Sequence, residues 1–139
     1  MIEQIHGSEH GILLASAPER VDPGNSFFGY RNTPRVVGGM NKEASKQAAD
    51  FYRTFCSEVF EVSSPEVAET AKLLENTFRQ VNIALINQIS TFTRKMGIEI
   101  REVIEAASTK PYGFMPFYPG AGVGGHCIPI DPTYLAWKA

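Results

Sequence analysis

The stretch Ser64–Gly97, SPEVAETAKLLENTFRQVNIALINQISTFTRKMG, decides the fold. Ser64 offers a hydroxyl to cap free N–H groups, Pro65 suits the first helical position, and Glu66 favours the positive end of a helix dipole. Val67, Ala71, Leu74, Phe78, Val81, Leu85, Ile89, Phe92 and Met96 then recur every three to four residues, and Gly97 supplies the stop. The spacing predicts one helix over about 65–96, some 48 Å long at about 1.5 Å per residue. That exceeds what one small domain needs, and the apolar face is broad. Such a helix packs against several neighbours or against its symmetry mate, so a homodimer built on it is expected. A single long core helix in a monomer is the alternative.

Towards the N-terminus the pattern changes. ILLASA at 12–17 is a short apolar run ending at Pro18, as a buried strand would be. A Pro-, Gly- and Asn-rich loop follows, and then RVVGG at 35–39 as a second strand. From about Asn41 to Cys56, Ala44, Ala48, Phe51, Tyr52 and Phe55 recur at helical spacing, and Phe60–Val62 is another brief strand. Beyond the long helix, residues 100–108 form a further helix with Val103, Ile104 and Ala107 facing inward. Residues 110–130 are a Pro/Gly loop, and Asp131-Pro132 opens a last helix. The fold class is therefore mainly α with a few short strands. PTYLAWKA at the end reads as a helix stopped in mid-turn.

The bulk composition narrows the function classes. The 139 residues are 43% hydrophobic and 20% charged, a globular balance, with a formal net charge of -2. No Lys/Arg block stands out, so neither nucleic acid nor an anionic membrane is expected as partner. No run of about 18 apolar residues exists to span a membrane. MIEQIHGSEH lacks the basic and apolar regions of a signal peptide. Two cysteines are too few for a disulfide framework and point to the reducing cytoplasm.

Gly120-Ala-Gly122-Val-Gly124-Gly125 matches the spacing G-x-G-x-x-G, the dinucleotide fingerprint. That motif needs a strand before it and a helix opening within it. Met115-Pro-Phe-Tyr-Pro119 cannot be a central parallel strand, and Ile128-Pro129 interrupts any helix. The segment is not a pyrophosphate cradle, and no P-loop is present. It is either a flexible connector or a loop whose backbone comes close to a ligand.

Cys127 follows that loop in GGHCIPID, with His126 beside it and Asp131 four residues on. A free cysteine is commonly a buried, inert thiol, but the glycines here expose the sulfur near backbone donors, as a reactive thiolate requires. Zinc fits poorly, because sequence neighbours such as His126 and Cys127 seldom serve one metal and no C-x-x-C or H-x-x-x-H pair exists; no metal site is expected. Cys56, on an amphipathic helix, is a core filler. Lys72 and Asn76 are four apart on the long helix and share a face, an ammonium and an amide able to stabilise an oxyanion. Arg79 and Asn82 continue nearly the same stripe; a solvated helix face is the plainer account. Glu19 follows Pro18 at a strand end, where α/β proteins keep functional groups.

Three stretches, SAPERVDPGN (16–25), KLLENTFRQVNIALIN (72–87) and KPYGFMPFYPGAGVGGHCIPIDPTYLAWKA (110–139), resemble the UDP-glucose/GDP-mannose dehydrogenases. Their wording is closest to the branch that oxidises UDP-N-acetylhexosamines, N-acetylglucosamine or N-acetylmannosamine. The resemblance implies oxidation of the sugar C6 alcohol to the carboxylate with two NAD, for polysaccharide precursors. It also implies a dinucleotide domain, a central domain that dimerises through one long helix, and a nucleotide-sugar domain. Residues 1–62 would be the end of the Rossmann-like domain, without its fingerprint, and 63–139 the helical dimerisation domain. NAD would bind mainly outside this chain, which alone would be inactive.

By the same resemblance Cys127 is the nucleophile, Lys72 and Asn76 hold the oxyanion, and Asp131 serves proton transfer with lysine and water. Glu19 helps hydrolyse a thioester. The loop from Tyr118 through Gly122, Gly124 and Gly125 lies over the sugar, with Arg79 as a further substrate contact. There are departures. Ile130 stands where the UDP-glucose branch often has Lys, and Pro23 where it has a second Glu; both argue against UDP-glucose. Asn87-Gln88 replaces a common Asn-Glu pair, a neutral change, and Lys110 is the sole cation near a position where an Arg sometimes reaches the partner's site. Readings from other classes are a dimerisation module without chemistry and a cysteine hydrolase, although His126 is ill placed to serve an adjacent thiol as base.

Overall fold

The computed structural model describes residues 11–22, 24–125 and 127–138. These form two compact units, Met1–Lys72 and Leu73–Ala139. In the first, three strands form one sheet in the order β1-β2-β3, with β1 at Ala15–Ser16, β2 at Arg35–Gly39 and β3 at Val59–Val62. β1 runs antiparallel to β2, pairing Ala15 with Gly39. β2 and β3 are parallel, pairing Arg35 with Val59 through Gly38 with Val62. Helix α1, Lys42–Arg53, makes the crossover that parallel neighbours require.

β2 is central and buried at all five positions, which suits its valines and closing glycines, while Arg35 at its start is a buried charge. The glycines serve close approach. A Cβ on Gly39 would lie 2.2 Å from the Ser45 nitrogen of α1, and one on Gly38 would lie 2.1 Å from the Ser64 carbonyl oxygen. α1 meets the sheet through small residues, Ala44, Ser45 and Ala49, and the Ser45 hydroxyl accepts the Gly39 N–H at 2.8 Å. This corrects the inward face expected from periodicity, because Phe51 is exposed and Ala48 only half-buried. The helix approaches β2 too closely to admit a large ring. The aromatic residues instead gather at its C-terminal end, where Tyr30 and Phe55 stack at 5.9 Å and Phe51 meets Phe55 edge-on at 5.3 Å. β1 is shorter than the apolar run 12–17, since an edge strand pairs on one side only; the Met40 N–H to Leu14 carbonyl bond extends the contact by one rung.

Helix α2 spans Pro65–Lys95. Ser64 caps it, its hydroxyl accepting from the Val67 N–H at 3.4 Å. The same Ser64 hydroxyl, and then the Glu66 backbone N–H, hold the exposed Glu66 carboxyl below its ordinary range. At the other end Gly97 takes φ +71°, the Ile98 N–H reaches the Thr93 carbonyl and the Gly97 N–H that of Arg94. This six-to-one and five-to-two pair is the Schellman stop that the glycine predicted.

In the second unit, α3 covers Ile100–Ser108 and α4 covers Asp131–Lys138, joined by the irregular segment 109–130. Glu99 caps α3 through the Arg101 N–H. Its buried positions are Ile100 and Ile104, one turn apart. Val103, expected inside, is 39% exposed, because it sits about 100° round the helix from Ile104. Along α2 in this unit the buried residues are Ser90 and Thr93, and the large apolar residues are not covered: Leu74, Phe78, Val81, Leu85, Ile89, Phe92 and Met96 are all exposed, Leu74 at 64%. Among the described residues no helix is long and apolar enough to cross a membrane.

Candidate active site

The C-terminal end of the irregular segment folds into the head of α4. The N–H groups of Ile130 and Asp131 both donate to the Cys127 carbonyl, at 3.0 and 2.9 Å, closing a turn that starts the helix. Cys127 is thereby fixed one turn before α4 with its thiol exposed, while Cys56 is buried with its thiol 3.7 Å from the Tyr30 carbonyl. Neither cysteine is in a disulfide.

Asp131, the first residue of α4, is half-buried and accepts a hydrogen bond from the Asn76 amide of α2 at 2.5 Å. Two residues 55 apart are thus joined. Through this turn the backbone of Cys127 is tied to Asp131, and Asp131 in turn to Asn76. Asn76, expected to act together with Lys72, gives one of the two hydrogens of its amide nitrogen to Asp131. Lys72 stands one turn earlier on α2 and is half-buried, and Arg79 is exposed.

The glycine run is neither preceded by a strand nor followed directly by a helix, so it lacks the strand–turn–helix setting of the dinucleotide fingerprint. Gly122, Gly124 and Gly125 all have positive φ, at +96°, +68° and +76°. The turn at 120–122 is held by Asn87 of α2, whose side-chain oxygen accepts the Gly120 N–H at 2.9 Å and whose nitrogen donates to the Gly122 carbonyl at 3.3 Å. Tyr118 is half exposed, with the Arg101 guanidinium 5.9 Å from its ring centre. Beside this loop a cleft of about 470 Å³ is lined by Phe78, Asn82, Leu85, Ile86 and residues of 113–117, and Phe78 meets Phe117 edge-on at 5.8 Å. A larger cleft of about 710 Å³ in the first unit, among Lys42, Lys46, Asp50, Arg53 and Glu61, contains none of the candidate residues.

Glu19 lies in the first unit after β1, with its side chain 53% exposed. Its carboxylate accepts the Val21 N–H and stands 3.9 Å from the Arg35 guanidinium. Arg35 is 3% exposed and donates to the Pro18 carbonyl at 3.1 Å, while Arg20 donates to the Pro34 carbonyl at 2.9 Å. Two arginines thus clasp the Pro-Glu-Arg tripeptide against the start of β2 from both sides. Arg35 keeps two buried nitrogens without hydrogen-bond partners, its guanidinium standing over the rings of Tyr30 and Tyr52, 4.6 and 5.4 Å from their centres. His126 lies outside the described residues.

The residue pattern assigns no role to Arg35 or Arg101, and Asn87, within a pair counted above as a neutral change, has contacts that the pattern does not show. For Asn87 a signal existed: an amide interrupting the apolar run between Ile86 and Ile89 on a helix otherwise patterned for packing. Arg35, opening a strand of buried apolar residues, was similarly out of place.

The profile of the UDP-glucose/GDP-mannose dehydrogenase family, central domain, matches residues 66–139, more than half of the chain and all of the Asn76–Cys127–Asp131 group. The chain belongs to that family. Across its whole length it is 39% identical to the UDP-N-acetyl-D-mannosamine dehydrogenase of Pyrococcus horikoshii, of which it covers 34%. It is 43% identical, over 88% of its length, to the UDP-N-acetyl-D-glucosamine 6-dehydrogenase of Pseudomonas aeruginosa, covering 29% of that protein. The solved structure of the Pyrococcus horikoshii UDP-N-acetyl-D-mannosamine dehydrogenase superposes on 99% of the chain with a TM-score of 0.87 at 38% identity, the chain covering 33% of it. The chain thus spans about a third of the length of these family members.

Proposed function

We propose that this chain is the central segment of an NAD-dependent nucleotide-sugar 6-dehydrogenase that oxidises the C6 alcohol of a UDP-N-acetylhexosamine to the carboxylate, for polysaccharide precursor synthesis in the cytoplasm. The observation that carries the reading is the Asn76–Asp131 hydrogen bond joined to the exposed Cys127 through the turn at the head of α4. It gathers three residues that the family resemblance assigns to one reaction. Residues 1–62 are assigned to the end of the dinucleotide domain and 63–139 to the central domain, which forms a homodimer through α2.

NAD, when bound, would supply hydride acceptance, one hydride to each of two NAD molecules in turn, at a site lying mainly outside these residues. The chain's own groups handle the carbon between the two oxidations. The Cys127 thiolate adds to the C6 aldehyde, forming a C–S bond, and the carbonyl oxygen becomes an alkoxide that is protonated to a thiohemiacetal. Lys72 and Asn76 stabilise that oxygen. After the second hydride and the hydroxyl proton are lost, the product is a thioester. Water then adds to its carbonyl carbon and the C–S bond breaks, leaving a carboxylate and the Cys127 thiolate, while both protons of the water pass to solvent. Glu19 assists the water, and Asp131 holds water and lysine for proton transfer. Covalent capture keeps the aldehyde from escaping. Tyr118, Gly122, Gly124, Gly125 and Arg79 contact the nucleotide sugar.

The names of the similar dehydrogenases support a UDP-N-acetylhexosamine as the substrate, as does Ile130, which stands where the UDP-glucose branch often has a lysine. The test is turnover of the complete polypeptide carrying this segment, with NAD, on UDP-N-acetylglucosamine, UDP-N-acetylmannosamine and UDP-glucose. Acid formation from an N-acetylhexosamine, lost in Cys127→Ala, is expected. Acid formation that survives Cys127→Ala would refute covalent catalysis by this thiol.

A further inference from the structure

Asn87 lies three turns beyond Asn76 on α2 and meets both ends of one tight turn. Its oxygen accepts from Gly120 and its nitrogen donates to Gly122. Between those contacts the Gly122 N–H donates to the Gly120 carbonyl at 2.9 Å, so residues 120–122 form a three-residue turn bracketed by a single amide. Gly122 has φ +96°, and glycine of all residues resists fixing by its own local preference. A turn of that kind holds one shape only when something rigid braces it, and a residue in the interior of a 31-residue helix is rigid.

We infer that Asn87 is a positioning residue: it fixes the 120–122 turn, five residues before Cys127, in the shape that receives the nucleotide sugar. The inference rests on the proposed function for the identity of the ligand, and on the two hydrogen bonds for the brace itself. The side-chain amide meets both demands, an acceptor for the Gly120 N–H and a donor for the Gly122 carbonyl. Aspartate keeps the acceptor for Gly120 but turns a second acceptor towards the Gly122 carbonyl. Alanine loses both contacts. Alanine is also the better helix former, so a residue whose role ended within α2 would tolerate the change or gain from it.

The experiment compares the complete wild-type polypeptide with Asn87→Ala and Asn87→Asp, measuring the hydrogen-exchange rate of the Gly120 amide, the melting temperature, and kcat and KM for UDP-N-acetylhexosamine. In Asn87→Ala the Gly120 amide is expected to exchange about tenfold faster, as loss of one hydrogen bond implies, and in Asn87→Asp to stay near the wild-type rate. KM is expected to rise about tenfold in both variants, with a smaller change in kcat and an unlowered melting temperature. Unchanged Gly120 exchange in Asn87→Ala overturns the brace, and faster exchange with unchanged KM overturns its role in substrate placement. Should the wild-type protein oxidise no nucleotide sugar, the proposed function falls, and the exchange rates still decide for or against the brace.

Discussion

Cys127 and Cys56 place two thiols of one chain in opposite environments, the first exposed at a turn and the second buried against a backbone carbonyl. Reactivity follows access to the thiolate, so iodoacetamide should label Cys127 at least about tenfold faster than Cys56, as peptide mass spectrometry would record. Equal and slow labelling of both would favour a dimerisation module whose cysteine is incidental. The residue scale also contains a steric prediction. A Cβ on Gly38 would come within 2.1 Å of the Ser64 carbonyl oxygen and 2.5 Å of its carbon, and backbone atoms cannot swing aside as a side-chain tip can. Gly38→Ala should therefore cost about 1–3 kcal/mol or more, read as a lowered denaturation midpoint. A neutral result would mean that β2 and the start of α2 stand further apart than described.

At the scale of the element, α2 depends on its two ends as well as its length. Ser64 satisfies an N–H that would otherwise lack an intrahelical partner, so Ser64→Ala should destabilise the protein by about 1 kcal/mol in chemical denaturation, with Ser64→Asp restoring most of the loss. Glu66 adds a pH dependence with a definite sign. Its carboxyl is held below the ordinary value of 4.5 in the folded chain, first by the Ser64 hydroxyl and then by its own backbone N–H. Because the folded value is the lower one, the stabilisation is present above pH 4.5 and is lost as the pH falls through the folded value. Glu66→Gln should flatten the acid side of the stability curve, and an unaltered acid slope would count against this contact. The exposed ion pairs of α1, Lys46–Asp50 and Arg53–Asp50, are solvent-screened and should matter little by comparison.

At the scale of the whole molecule, the dominant fact is the uncovered face of α2. Leu74, Phe78, Val81, Leu85, Ile89, Phe92 and Met96 follow one another at spacings of three and four residues and are all exposed in the single chain. Burying one such side chain contributes about 1.5–3 kcal/mol, so the stripe is a strong drive towards association. Sedimentation velocity should show a dimer at micromolar concentration, and a Leu85→Glu, Phe92→Glu double variant should sediment as a monomer. A wild-type monomer under those conditions would remove the dimer from the proposed function. Because Phe78 and Leu85 belong both to this stripe and to the cleft lined by residues 113–117, the double variant should be assayed for activity as well as mass.

The linear order of residues was sufficient for local features: the bounds of α2, its serine cap and glycine stop, the α3 span, and the fact that the glycine run at 120–125 is not a dinucleotide cradle. Each depends on interactions within a few residues along the chain, where backbone stereochemistry leaves few options. Tertiary structure decided the rest. It placed Val103 outside and Phe51 off the sheet, since which side of a helix is covered depends on what lies opposite and how closely. It gave the Asn76 amide to Asp131 and the Asn87 amide to the glycine turn, and it buried Arg35 beside Glu19. Those contacts link positions 16 to 55 residues apart, and a polar side chain's partner is set by the folded path of the chain, which neither residue type nor spacing encodes.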